Sequence, residues 1–290
     1  MPNSGTYYIG RLLKQGFDKD DLINVLLESP VIRVGQYSWT INDPFLNDGG
    51  DFVYGKLTKF SEEGEVAVVD TGTHRSVSTP QPDLIVAQSP FVYLPAFSGV
   101  AFLHVWNNIE YQTFRKRFTE IIKEGFQHFF AECTVEMISD LRSFVARVGR
   151  LTDITRMQAR VEPPNPLFGR FWKSLDEYLR RRQLNELKID ERANESIKNR
   201  LAQLLNDIVE DVSSDDELAV DIGDAAILMA ADGYGSGRIE GKEAQRAVTL
   251  KTDDTKVMFR DEREIEPAEL YRRTYEILEA IQRERYMEEE

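Results

Sequence analysis

The stretch A-A-D-G-Y-G-S-G-R-I-E-G-K-E, residues 230–243, packs four glycines and a Gly-Lys pair into fourteen positions. Read as a phosphate-binding loop, it would make the chain a nucleotide enzyme. That loop needs Gly-x-x-x-x-Gly-Lys followed by Ser or Thr, because backbone N–H groups wrap the phosphates and the hydroxyl holds magnesium. Here Ser236 stands where the first glycine belongs, and Glu243 stands where the hydroxyl belongs. A dinucleotide fingerprint opens a helix after a strand, whereas this stretch closes one: Ala225–Ala231 is apolar and helix-forming, and Gly233 suits a left-handed cap. The remaining glycines are expected in a turn or a weakened strand.

Working outward from there, Ser-Ser-Asp-Asp-Glu-Leu at 213–218 begins an acid-led helix that runs into the glycine stretch, and Asp215 and Asp216 favour its N-terminus electrostatically. Downstream, Q-R-A-V-T-L-K and K-V-M-F-R flank T-D-D-T as an expected hairpin, and a helix follows from Pro267 to about Tyr286. Upstream, E-P-P-N-P at 162–166 marks a boundary, since proline neither donates to a sheet ladder nor continues a helix interior. Two helices are expected beyond it, L-F-G-R-F-W-K-S-L-D-E-Y-L-R-R-R and N-E-S-I-K-N-R-L-A-Q-L-L-N-D-I-V-E-D-V. Before it, a strand, a helix and a strand cover about 133–162, preceded by an amphipathic helix from about Ile109 to Phe130.

The first hundred residues read as β-rich after a short helix led by Asp18, Asp20 and Asp21. F-V-Y-G-K-L-T-K-F and E-V-A-V-V-D flank S-E-E-G as a hairpin, T-G-T-H-R-S-V-S-T-P-Q-P-D at 71–83 reads as an exposed loop, and two apolar strands surround Ser98-Gly99. The expected fold is α+β. Residues 1–165 form a mixed sheet with helices on one side, a ferredoxin-like core being one option. Residues 166–290 form a helical segment with a small β-hairpin packed on the first part.

With 41% hydrophobic and 10% aromatic residues the chain can bury a substantial core. The single cysteine, Cys133, rules out an intrachain disulfide or a cysteine-based zinc site, and reads as a buried small hydrophobe. No signal peptide or membrane span is visible, so a cytoplasmic location without membrane contact is expected. Formal charge is −14, yet residues 111–200 carry a net +5. That basic middle permits a local anion-binding face inside an acidic chain.

Its candidate nucleic-acid contacts are Arg115, Lys116, Arg117, Arg156, Arg160, Arg180, Arg181 and Arg182. Arg156 and Arg160 share one strand face with Gln158, because side chains alternate across a strand. Strand aromatics Tyr37, Trp39, Tyr54, Tyr93 and Trp106 are candidates for stacking on bases. His74, His104 and His128 have no metal-ligand spacing, and only His74, beside Arg75, Ser76 and Ser78, sits where a loop presents a base near hydroxyls. The carboxylates at 215–224 lie in one local run, whereas a magnesium nuclease converges acids from separate strands. No metal site or cofactor is expected, and no catalytic residue is assigned.

In its order of elements, G-K-L-T-K-F, F-V-Y-L-P, E-P-P-N-P, A-A-D-G-Y-G and a terminal hairpin, the chain resembles a prokaryotic family of similar length catalogued as a domain of unknown function. That resemblance implies a setting among mobile-element and phage-defence genes and brings no catalytic residues. The expected function is a non-catalytic binding component of such a system, engaging protein partners and, through the basic middle, nucleic acid. Two alternatives stand beside it: a metal-dependent nuclease or other phosphoester hydrolase, and a structural protein that assembles into homo-oligomers.

Overall fold

The computed structural model describes residues 4–127, 131–163, 172–197 and 221–285. Their strands form two antiparallel sheets. The larger contains β1 (Ser4–Gln15), β2 (Ile32–Val34), β3 (Tyr37–Leu46), β4 (Val53–Asp70), β5 (Arg75–Leu94), β6 (Gly99–His104), β7 (Glu132–Met137) and β12 (Met258–Glu262). Its order is β12-β1-β6-β5-β4-β3-β2, and it curls into a half-barrel with flanking helices. One edge of β1 is divided between two partners: β12 pairs with residues 4–8 and β7 with residues 10–15. The smaller sheet has the order β11-β10-β8-β9, from β8 (Asp153–Val161), β9 (Leu187–Arg192), β10 (Gly235–Glu243) and β11 (Arg246–Lys251). Each sheet thus takes strands from both sides of the 162–166 punctuation, and of the β-α-β run β7 joins one sheet while β8 joins the other.

Helices close each core. In the larger core, α1 (Lys19–Leu27) starts at the Asp18/Asp21 capping box and buries Leu22, Ile23 and Leu26. Helix α2 (Tyr111–Gly125) buries Phe114, Phe118, Ile121 and Ile122, with Phe114 stacked on Phe102 at 3.9 Å between ring centroids. In the smaller core, α3 (Leu141–Val148), α4 (Lys173–Arg181) and α5 (Ile222–Met229) cover Met157, Ala159, Val161 and Ile239. The last helix, α6 (Pro267–Arg285), packs Leu270 and Leu278 on the larger sheet.

A buried polar cluster joins the two cores. The turn after α5 carries Asp232, whose carboxylate accepts from Arg285 Nη1 at 2.8 Å and from Trp172 Nε1 at 2.7 Å. Arg11 of β1 donates to the Asp232 and Phe97 carbonyls and lies 4.8 Å from the Tyr234 ring centroid. Gly233 has φ +86°, the left-handed stop expected there.

Four expectations about elements change. S-E-E-G is no turn: the runs on either side of it are one strand, β4, and the reversal comes at Thr71–His74, where Asp70 Oδ1 accepts from the Gly72 and Thr73 amides. Most of the expected loop 71–83 is strand β5, polar because both faces of that ribbon meet solvent. The glycine stretch beyond 235 is strand β10, which makes the hairpin with β11, while T-D-D-T is a 3-10 turn that sends β12 to the other sheet. Finally, β9 lies where no strand was expected, although Leu187 and Ile189 alternate with Lys188 and Asp190. His128, the 164–166 prolines, Asp215, Asp216, Glu217 and most of the second helix expected after them lie outside the described residues.

Candidate functional site

One face of the smaller sheet packs on its helices and the other is open. Alternation along β8 turns Met157, Ala159 and Val161 inward and Arg156, Gln158 and Arg160 outward. Cross-strand register extends that outer face on both sides. Arg160 stands between Lys188 and Ser236, Gln158 between Asp190 and Arg238, and Arg156 between Arg192 and Glu240. Lys251 lies opposite Arg238, and Lys242 continues the row along β10. The face therefore presents seven cations, Arg156, Arg160, Lys188, Arg192, Arg238, Lys242 and Lys251, against the carboxylates of Asp153, Glu162, Glu186, Asp190 and Glu240. The centre of the face holds the polar side chains of Gln158, Ser236 and the ions, and the glycines of β10 alternate with its outward residues and face the core.

Where β7 and the 3-10 turn 252–255 rise beside this face, they enclose a cleft of about 640 Å³. Its lining includes Arg115, Glu136, Arg160, Gly235, Ser236 and Arg238. Residues 235–238 thus line the cleft as part of a strand, not as a phosphate-wrapping loop.

Carboxylates hold most of these cations in place. Arg156 forks onto Asp190 with Nε at 2.8 Å and Nη2 at 2.7 Å, the bidentate geometry that fixes a guanidinium plane. Hydrogen bonds from Arg156 and then Arg192 hold the Asp190 carboxyl well below the usual carboxylate range. Arg160 meets Glu186 through Nε and Glu162 through Nη2 at 3.0 Å. Burial raises the Glu136 carboxyl above its ordinary value against the opposing pull of Arg115 and Arg160, and burial likewise raises Glu162. Lys188 and then Arg160 lower Glu186 by donating to it. Lys242 and Lys251 are exposed and have no carboxylate partner among the described residues. The arrangement orients fixed positive groups toward solvent, with two lysines free to move onto an anion.

The eight sequence candidates separate in space. Arg115, Arg156 and Arg160 share the open face or its cleft, and Lys116 lies one step along α2 in a neighbouring groove with Gln112 and Thr134. Arg117 turns the other way, pairing with Glu120 and lying 5.6 Å from the Trp39 ring centroid. Arg180, Arg181 and Arg182 end α4, whose Leu175 and Leu179 enter the smaller core, so this triplet belongs to the helical layer and to no strand of the open face. Sequence reading missed Lys188, Arg192, Arg238, Lys242 and Lys251, which were legible only as the polar half of an alternation once β9 and β10 are strands.

Of the aromatics, Trp39, Tyr54 and Tyr93 are buried, Tyr37 lies under Lys59 at 4.0 Å, and Trp106, expected in a strand, is 69% exposed in the turn that follows β6. His104 is buried, its Nδ1 accepting from the Tyr111 amide, and burial lowers its pKa. His74 sits at the solvent-exposed turn between β4 and β5 with φ +54°. Among the described residues no three His, Cys, Asp or Glu side chains gather as a metal-binding group, and no helix is long and apolar enough to cross a membrane.

A family model described as a domain of unknown function (DUF4747) matches residues 18–215. The chain belongs to that family. A search of curated proteins gave no match.

Proposed function

We propose that this DUF4747 member is a non-catalytic binding component that engages nucleic acid through the open face of its smaller sheet, together with protein partners. The observation that carries the reading is the concentration of seven cations on one uncovered sheet face of a chain with net charge −14. A phosphate backbone is the partner such a face suits: it repeats negative charge at short intervals, and binding releases condensed counterions. Contacts from sheet cations to phosphates carry no base code, so the expected binding is sequence-tolerant. The cleft carboxylates support binding over catalysis, because arginines already engage Glu136, Asp190 and Asp253. A cytoplasmic setting, and a role in prokaryotic defence or mobile elements, rest on the sequence reading and the resemblance alone.

Fluorescence anisotropy of a labelled single-stranded or duplex oligonucleotide, titrated with the chain in about 50 mM salt, tests the proposal. Binding that weakens steeply by about 200 mM salt and drops further in a Lys242→Glu/Lys251→Glu variant supports it. Absence of binding to both probes at low salt overturns it.

A further inference from the structure

We infer that the free edge of β4, over residues 63–69, takes up an extended basic segment of a protein partner as a third strand. Beyond the Ser61↔Leu84 pair, β4 and β5 continue as a two-stranded ribbon to Asp70↔Arg75, and among the described residues neither pairs with another strand along that length. Two prolines fix which backbone groups this leaves open. Pro80 stands opposite Glu65, and Pro82 opposite Glu63. Having no N–H to donate, a proline in a ladder turns its nitrogen away from the neighbouring strand. These are therefore non-hydrogen-bonded pairs, and by alternation so are Ala67↔Ser78 and Val69↔Ser76. The N–H and C=O groups of Glu63, Glu65, Ala67 and Val69 consequently point out of the ribbon, and only at its inner end does one meet a side chain close by, where Ser61 Oγ donates to the Glu63 carbonyl at 2.7 Å. On the opposite edge Pro80 and Pro82 remove two of the four outward donors, which blocks strand addition there. The β4 edge contains no proline and is the one fitted to accept a strand.

Side chains set the chemistry of that strand. Alternation puts Val66 and Val68 on one face of the ribbon, beside Val77 and Thr79, and Glu63 and Glu65 on the other. A strand laid along β4 brings its own side chains beside these in the same alternation, and opposite charges and β-branched pairs are the favourable cross-strand neighbours. The fitting segment thus alternates Lys or Arg, beside Glu63 and Glu65, with β-branched residues beside Val66 and Val68. A second copy of the arm does not fit, because residues 62–83 carry Glu62, Glu63, Glu65, Asp70 and Asp83 against Arg75 alone and two such arms repel. Acids along the edge therefore bar self-pairing while admitting a basic strand. A third strand also supplies what a two-stranded ribbon lacks for stability in water. The inference rests on the protein-partner half of the reading above and uses no residue of the open face.

Fluorescence anisotropy of a labelled Lys-Val-Lys-Val-Lys-Val-Lys peptide tests it, with the full chain freed of nucleic acid, at about 0.1 M salt, where the screening length is about 10 Å. Saturable binding is expected. Ala67→Pro removes one outward N–H, leaves the ladder to β5 intact and should weaken binding about tenfold. Glu63→Lys/Glu65→Lys should abolish it. Antiparallel addition turns the lysine amides toward β4, and parallel addition the valine amides, so N-methylation of one set should abolish binding and N-methylation of the other should leave it. These two peptides decide the matter if Ala67→Pro fails to fold. A chain that does not bind the unmodified peptide, or that treats both methylated peptides alike, overturns the inference. Oligonucleotide affinity should be the same in Ala67→Pro as in the unaltered chain, so failure here and failure of the nucleic-acid reading show separately.

Discussion

Arg285, in the last turn of α6, donates to Asp232 at 2.8 Å in the turn that ends α5, and the two side chains are 2% and 5% exposed. Residues 53 positions apart thereby tie the C-terminal helix to the junction of the two cores. Removing one member of a buried pair leaves an uncompensated charge, which costs about 3–5 kcal/mol. Arg285→Met and Asp232→Asn are each expected to lower stability by that order in urea unfolding. The double variant should fall well short of the sum, because the second change removes the group that the first left unpaired. Strict additivity would show that the pair contributes nothing as a pair.

Cys133 faces the larger core, and burial pushes its thiol up to about 12. In the unfolded chain the thiol ionises near 9, so between about 9 and 12 the folded state holds a proton that the unfolded state has released. Stability from this group is fully present below pH 9 and falls as pH rises toward 12. Thiol-reactive probes at pH 8 should leave the native chain unmodified and react fully in denaturant. Cys133→Ala should flatten the alkaline limb of stability against pH while costing little at neutrality beyond the lost sulfur contacts.

Gly241 sits where the chain leaves no room for a side chain. A Cβ there would meet the carbonyl oxygen of Asp153 on the neighbouring strand, beside the bulge where β8 and β10 shift register. That backbone is held by the Thr152 amide donating to the Lys242 carbonyl at 2.7 Å, so it has little room to yield. Gly241→Ala is expected to cost about 1–3 kcal/mol, the usual price of overpacking, read as a lower urea midpoint. A neutral result would mean that the two strands separate locally without loss.

What was legible in the sequence was local. The acid-led start of α1 at Asp18, Asp20 and Asp21, the apolar spacing of α2 and the alternation of Arg156, Gln158 and Arg160 are each written within a few residues, and each stands in the structure as expected. What was illegible depends on partners far along the chain. T-D-D-T has the composition of a hairpin turn, but β12 finds β1 some 250 residues away, because Tyr7 stacks on Phe259 at 5.2 Å and the β1 edge stands open to it. Polar composition misled at 71–83 for a related reason: a strand in a ribbon wetted on both faces has no buried half to make it apolar. The open face is likewise assembled from β8, β9, β10 and β11, and the helix-end arginines at 180–182 show that sequence proximity to a basic segment does not place a cation on it.

That separation supplies the sharpest test of the proposed interface. Cations that contact phosphate contribute to the slope of log affinity against log salt, by about 0.9 for each duplex phosphate neutralised and about 0.7 for single strands. Lys242→Ala and Lys251→Ala should each lower the slope by close to one such contact and weaken binding about equally for all sequences. Arg160→Ala should weaken binding with a larger loss of stability, because Glu162, buried and already raised in pKa, loses its guanidinium partner. Arg180→Ala/Arg181→Ala/Arg182→Ala, in the helical layer, should leave affinity and slope unchanged. Equal losses for the α4 triplet and for the two lysines would show that binding follows total charge and that the open face is not its seat.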